Sequence, residues 1–142
     1  KCSGMTRLSK ALRLIDANFN RAKEGLRVCE DILRFVFDDR TLTARFKTLR
    51  HECSKILIQF PIAYRRLVRE RNSHHDVGKR SMILEKKRAN WPDLLISNMK
   101  RAQESLRVLE ESSKIVAPPK SRHFQALRFK LYELEKRVLK KF

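Results

Sequence analysis

The sequence predicts an all-α domain: two duplicated helical hairpins packed as a four-helix, bundle-like unit with pseudo-twofold symmetry. Three observations predict it. The 142 residues include only 3 Gly and 4 Pro, and 35% are charged. A chain dominated by Ala, Leu, Glu, Lys and Arg favours helix. Apolar residues recur at helical spacing along most of the chain, with no strand-like alternation. Finally, one stretch occurs twice. NFNRAKEGLRVCED (Asn18 to Asp31) and NMKRAQESLRVLEE (Asn98 to Glu111) agree at eight of fourteen positions, where unrelated segments share about one.

The first helix is expected from about Ser9. Leu12, Ile15, Phe19, Ala22, Leu26, Cys29, Leu33, Val36 and Phe37 form its apolar stripe, spaced at about 100° per residue. Asp38 to Thr41 is turn chemistry, and Asp39 or Thr41 suits the next N-cap. The second helix shows a clean stripe of Leu42, Phe46, Leu49, Cys53, Ile56 and Phe60, of the kind that faces a bundle. Pro61 interrupts it, and residues 61–70 are expected to form a further helical piece. Residues 71–89 join the halves, with NSHHDVGK as the clearest loop and a short helical turn over Ser81 to Ala89. Trp91-Pro92-Asp93 opens a third helix, with Leu95, Ala102, Leu106, Leu109, Ser113 and Val116 on its stripe. Ala117-Pro118-Pro119 ends it. Ser121 is the expected cap of a fourth helix carrying Phe124, Leu127, Leu131, Leu134 and Val138. Arg45-Phe46-Lys47 and Arg128-Phe129-Lys130 extend the repeat into the second helix of each half. The domain is read as 9–142, with halves of 9–70 and 90–142.

The charge is +18, from 34 Lys plus Arg against 16 Asp plus Glu. Such a field attracts anions, whether nucleic acid, membrane surface or phosphorylated small molecules. Nucleic acid is the weaker candidate, because the sequence shows no interleaved exposed aromatics for base stacking and no evident recognition helix. No apolar run approaches the roughly 18 residues that span a bilayer. Cys2, Cys29 and Cys53 match no zinc spacing. Cys29 and Cys53 fall on apolar stripes, which reads as buried, reduced thiols and a cytoplasmic location. Phosphate-loop, dinucleotide and kinase signatures are absent.

The repeat also carries polar residues at matched phase: Asn18 and Asn98, Arg21 and Arg101, Glu24 and Glu104, Arg27 and Arg107, Glu30 and Glu110. One reading is a solvated, salt-laced helix face. The sharper reading is a pair of related sets lining one groove. Arginine would grip phosphate with its planar fork, glutamate would hold Mg²⁺ or accept a proton, and asparagine would orient a substrate. Gly25 and Ser105 are small residues in helix interiors, which suits either close helix packing or a ligand. Asp76, after His74 and His75, is a further candidate. His51 and His123 read as surface or packing residues.

The runs LIDANFNRAKEGLRVCEDILRF, FKTLRHE, DVG, NMKRAQESLRVLEESSK and LRFKLYELEK resemble a small bacterial family of thiamin biosynthesis. These are the short, single-domain hydroxymethylpyrimidine phosphate kinases, which occur alone or fused ahead of thiamine phosphate synthase. The resemblance covers about residues 11–138. It implies transfer of the ATP γ-phosphate to hydroxymethylpyrimidine monophosphate, with a phosphorylated pyrimidine as substrate and thiamine phosphate synthase as a candidate partner. Two departures stand out: Lys79 where the family tends to carry Thr, and an apparent insertion over Pro61 to Val68. For such a reaction the expected phosphate clamps are Arg21 and Arg101, with Arg50 and Arg88 as helpers. Glu24, Glu104 and Asp76 are the Mg²⁺ or base candidates. Asn18 and Asn98 would orient the pyrimidine or its phosphate. A homodimer is compatible with this pattern.

Overall fold

The computed structural model describes residues 6–79 and 87–142, and every long element among them is helical. Helix α1 spans Arg7–Asp31 and starts slightly earlier than the apolar period suggests, because Thr6 Oγ1 accepts the Ser9 backbone N–H at 3.0 Å. It ends in a π-helical turn over Ile32–Val36, closed by the Phe37 N–H donating to the Ile32 carbonyl at 3.1 Å. The wider turn rotates the stripe. Leu33 is fully buried, whereas Val36, expected inside, is exposed. A π turn advances the chain by about 4.4 residues and so breaks the 3.6-residue phase.

Asp38 follows with a positive φ of 51°. Asp39 then caps α2 (Arg40–Gln59) by accepting the Leu42 N–H at 2.9 Å. Phe60, ahead of Pro61, is extended, as residues before proline tend to be. The short α3 (Tyr64–Arg69) supplies the expected further helical piece. Arg71 returns the chain to α1 by donating two hydrogen bonds, at 2.7 and 2.8 Å, to the buried carboxylate of Asp16.

Helix α4 (Trp91–Val116) begins with Asn90 accepting the Asp93 N–H at 2.9 Å and with Pro92 in its first turn. Of the short helix expected over Ser81 to Ala89, residues 81–86 lie outside the described residues, and 87–89 are not helical. A 3₁₀ turn over Pro118–Lys120 leads into α5 (Ser121–Lys141). Ser121 does not cap α5 as expected. It is already the first helical residue, and its hydroxyl donates to the Glu110 carbonyl at 2.8 Å, tying the turn back to α4.

The two repeated helices form the central pair. A Cβ on Gly25 would stand 3.0 Å from the Asn98 carbonyl oxygen and 3.4 Å from Ala102 Cβ. Cys29 Sγ meets the Leu95 carbonyl at 3.6 Å. Residue numbers fall along α4 as they rise along α1, so the pair is antiparallel. Gly25 is therefore small because another backbone passes over it, and the ligand explanation for it falls away. Helix α2 packs on α1, α5 packs on α4, and α2 and α5 close the bundle. Phe19 lies edge-on to Phe60 and Phe124, with centroids 5.8 and 5.5 Å apart. Each such fully buried side chain contributes about 1.5–3 kcal/mol.

Burial corrects the sequence alignment of the outer helices. Phe46 is fully buried, but Phe129, its expected mate, is half exposed. The structural mate of Phe46 is Phe124, and Leu49, Arg50, Cys53 and Ile56 match Leu127, Arg128, Leu131 and Leu134. The connection in the second half is two residues shorter than in the first. The match between the two Arg-Phe-Lys triplets put the exposed face of α5 where its buried face belongs.

Candidate functional site

The polar residues repeated in α1 and α4 have three different fates. Asn18 and Asn98 lie in the seam between the two helices. Each side-chain amide donates to the carbonyl one turn back, Leu14 and Leu94 respectively, at 2.9 Å in both cases. Each amide nitrogen is thus engaged within its own helix.

Glu30 and Glu110 are buried, and each meets an arginine from the partner helix of its hairpin. Arg50 Nε stands 2.8 Å from Glu30, and Arg128 Nε stands 2.9 Å from Glu110. Arg128 also donates to the Tyr132 hydroxyl at 3.0 Å, and its own pKa is raised chiefly by the hydrogen bond to Glu110. Arg27 and Arg107 close each cluster from the surface, 3.9 and 3.8 Å from the same carboxylates. The expected phosphate helper Arg50 is therefore engaged in holding α2 to α1. A legible signal existed for these pairs: a glutamate at the stripe edge in both halves, and a Leu-Arg step on both outer helices.

Arg21, Arg101, Glu24 and Glu104 meet the third fate. All four are exposed, and none makes a side-chain hydrogen bond or ion pair among the described residues. Helical phase places them on the outer face of the α1–α4 layer, the two arginines on either side of the pseudo-twofold axis. Their guanidinium forks are exposed and keep their donors available. Asp76 lies apart in the inter-half loop, accepting the Gly78 N–H at 2.9 Å. Arg88 is exposed beyond that loop and donates to the Lys87 carbonyl at 2.9 Å. Among the described residues no three carboxylate, imidazole or thiol groups converge as a metal cage, so Glu24, Glu104 and Asp76 do not form one together. His51 and His123 are on the surface.

Cys29 and Cys53 are buried free thiols. Desolvation raises both, Cys53 to about 12, which disfavours the thiolate that a nucleophile needs. No helix among the described residues is long and apolar enough to cross a membrane.

The opposite layer holds a feature that the repeat did not announce. A groove of about 710 Å³ runs between α2 and α5, floored by Ala44, Leu49 and Leu134 and rimmed by Arg40, Arg45 and Arg137. Two of its arginines come from α2 and one from α5, so no linear pattern marks them.

The geometry defines a duplicated, strongly basic helical domain with paired buried carboxylate–arginine locks and free arginines on its central layer. Comparison with known proteins places it more closely. The model of the ThiD2 family matches residues 13–137, and the chain belongs to that family. A protein of Prochlorococcus marinus named thiamine-phosphate synthase is 36% identical over 128 residues, covering 90% of this chain and 36% of the relative. A Synechocystis protein of the same name is 36% identical, covering 89% of this chain and 36% of its own length. A Rhodopirellula baltica protein, also so named, is 35% identical, covering 85% of this chain and 32% of its own. The chain thus spans about a third of the curated relatives it matches. No solved structure matches it.

Proposed function

We propose that the chain is a domain of thiamin biosynthesis that works in association with a thiamine-phosphate synthase. The names of its relatives, and the third of their length that it matches, support this reading. Within that role we propose ATP-dependent phosphorylation of hydroxymethylpyrimidine monophosphate to the diphosphate. The observation that carries it is the pair of unpartnered, symmetry-related arginines, Arg21 and Arg101, in a chain of charge +18.

In this reaction a phosphate oxygen of the monophosphate attacks the γ-phosphorus, the bond to the β,γ-bridging oxygen breaks, and ADP leaves. The attacking oxygen needs little deprotonation, because the second pKa of a phosphate monoester is about 6. The protein's task is positioning and charge neutralisation. Arg21 and Arg101 grip phosphate oxygens. Mg²⁺ fits as an ion carried mainly by the nucleotide, since it is commonly bound through substrate phosphates and one or two carboxylates. Glu24 and Glu104, one turn from the arginines, would be its protein partners, and Asp76 would reach it only from the loop. Asn18 and Asn98 act through the seam, fixing the turns that carry the arginines.

A second reading is favoured by the relatives' names, which specify the synthase and no phosphorylation: a non-catalytic accessory domain of the synthase. Purified chain with ATP, Mg²⁺ and the pyrimidine monophosphate separates the two. The kinase reading expects diphosphate, and a kcat/KM lowered on the order of 100-fold in Arg21→Ala or Arg101→Ala, a loss typical for removing a preorganised charge-stabilising donor. Undiminished turnover in both folded variants refutes the site. No diphosphate, with the synthase reaction stimulated by added chain, selects the accessory role. Salt-sensitive binding to random DNA without turnover would instead mark a nucleic-acid module.

A further inference from the structure

The α2–α5 groove lies on the layer opposite Arg21 and Arg101, so a phosphate held by those arginines does not reach it. Its volume of about 710 Å³ falls within the range of small-molecule sites. The floor of Ala44, Leu49 and Leu134 is apolar, with Thr41 and Thr48 beside it. Around it stand Arg40, Arg45 and Arg137, exposed and without a side-chain partner among the described residues. Lys130 closes one end but is paired with Glu52 at 2.8 Å. Glu133 is the other carboxylate of the lining.

The pseudo-twofold axis supplies an internal control. In the structural register of the outer helices, Arg40, Arg45 and Arg137 correspond to Pro118, His123 and Gln59. The guanidinium triad is thus confined to one copy, and the repeated fold does not require it. Three guanidiniums line one groove with no side-chain partner among the described residues, and like charges lining one surface repel. A bound anion would remove that repulsion, and an apolar floor beside them suits a flat ring. Two smaller cavities, of about 410 and 510 Å³, share Arg40 with this groove and lie along the α1–α2 turn. That turn carries the π-helical step and the positive φ of Asp38, features that recur near binding sites.

We propose that the α2–α5 groove is a second ligand site that binds an aromatic phosphate ester, its ring on Ala44, Leu49 and Leu134 and its phosphate on Arg40, Arg45 and Arg137. Two sources share that chemistry, a nucleotide and a phosphorylated pyrimidine. The proposal does not depend on phosphoryl transfer, and its test reads binding alone.

Calorimetric titrations use the full chain carrying Arg21→Ala and Arg101→Ala, so that the other layer is silent. The probes are ATP, hydroxymethylpyrimidine monophosphate and inorganic phosphate. At least one aromatic ester is expected to bind at least ten-fold more tightly than inorganic phosphate, and which one binds identifies the source. Adding Arg45→Ala and Arg137→Ala is expected to weaken it at least ten-fold, with an unchanged thermal melt. A second variant, Ala44→Phe, fills the exposed floor without touching a charge and is expected to give the same loss. Absence of ester binding in the Arg21→Ala/Arg101→Ala chain, equal affinity for inorganic phosphate, or binding that survives the groove variants overturns the proposal.

Discussion

Replacing Arg128 with alanine tests the most consequential contact in the fold. Glu110 retains only 4% of its exposure and Arg128 only 7%, and they meet at 2.9 Å. Removing the guanidinium leaves a carboxylate in the bundle with Arg107 as its remaining cation, 3.8 Å away. Arg107 is more than half exposed, and solvent screens such a pair. Breaking a buried pair typically costs about 3–5 kcal/mol. The lower figure applies here because Arg107 still contributes, so Arg128→Ala should lower stability by about 3 kcal/mol and Tm by about 10 °C at this chain length. The companion double variant, Glu110→Leu with Arg128→Met, removes both charges and should return most of that loss. Urea denaturation of both variants at constant m-value measures the two effects. A loss under about 1 kcal/mol, or a double variant less stable than Arg128→Ala alone, would refute the view that the pair is a buried lock.

Other outcomes follow from the same structure. Asp39 accepts hydrogen bonds from Lys141 and the Leu42 N–H, which hold its pKa below the ordinary 3.8. A depressed carboxylate stabilises the fold above its unfolded pKa, and the contribution is lost as pH falls through the folded value. Asp39→Asn should therefore flatten the decline of stability below about pH 4, measured by melts across pH 2–6; an unchanged acid limb would count against it. Cys29 and Cys53 should resist a thiol reagent at pH 8 in a chain carrying Cys2→Ser, reacting only as fast as the protein unfolds. Rapid labelling of the native chain would show that the bundle opens locally.

Much of the architecture was legible in the chain. The stripes of α2 and α5 were readable position by position, since each is an uninterrupted amphipathic helix whose buried residues keep one phase. The repeat marked two related helices, and Gly25 left close packing or a ligand open, which the Asn98 carbonyl over it decides. Legibility failed where local phase or capping was reset by a contact. The π turn after Asp31 moved Val36 outward, and the Glu110 carbonyl drew the Ser121 hydroxyl away from capping. The short Arg-Phe-Lys match misled because three identical letters carry less weight than the burial period of a whole helix.

The candidate site was legible only in part. Amino-acid spacing determined the helical class, the duplication and the matched Asn, Arg and Glu sets, because these depend on periodicity within single helices. It did not distinguish a carboxylate that locks two helices from one that faces solvent, nor a glycine under a passing backbone from one beside a ligand. Tertiary structure decided those fates, because each depends on what arrives from another helix: Arg50 onto Glu30, Arg128 onto Glu110, and the α4 backbone onto Gly25. The same holds for the groove of Arg40, Arg45 and Arg137. Its floor and rim come from helices far apart in the chain and exist as one surface only once the bundle has closed.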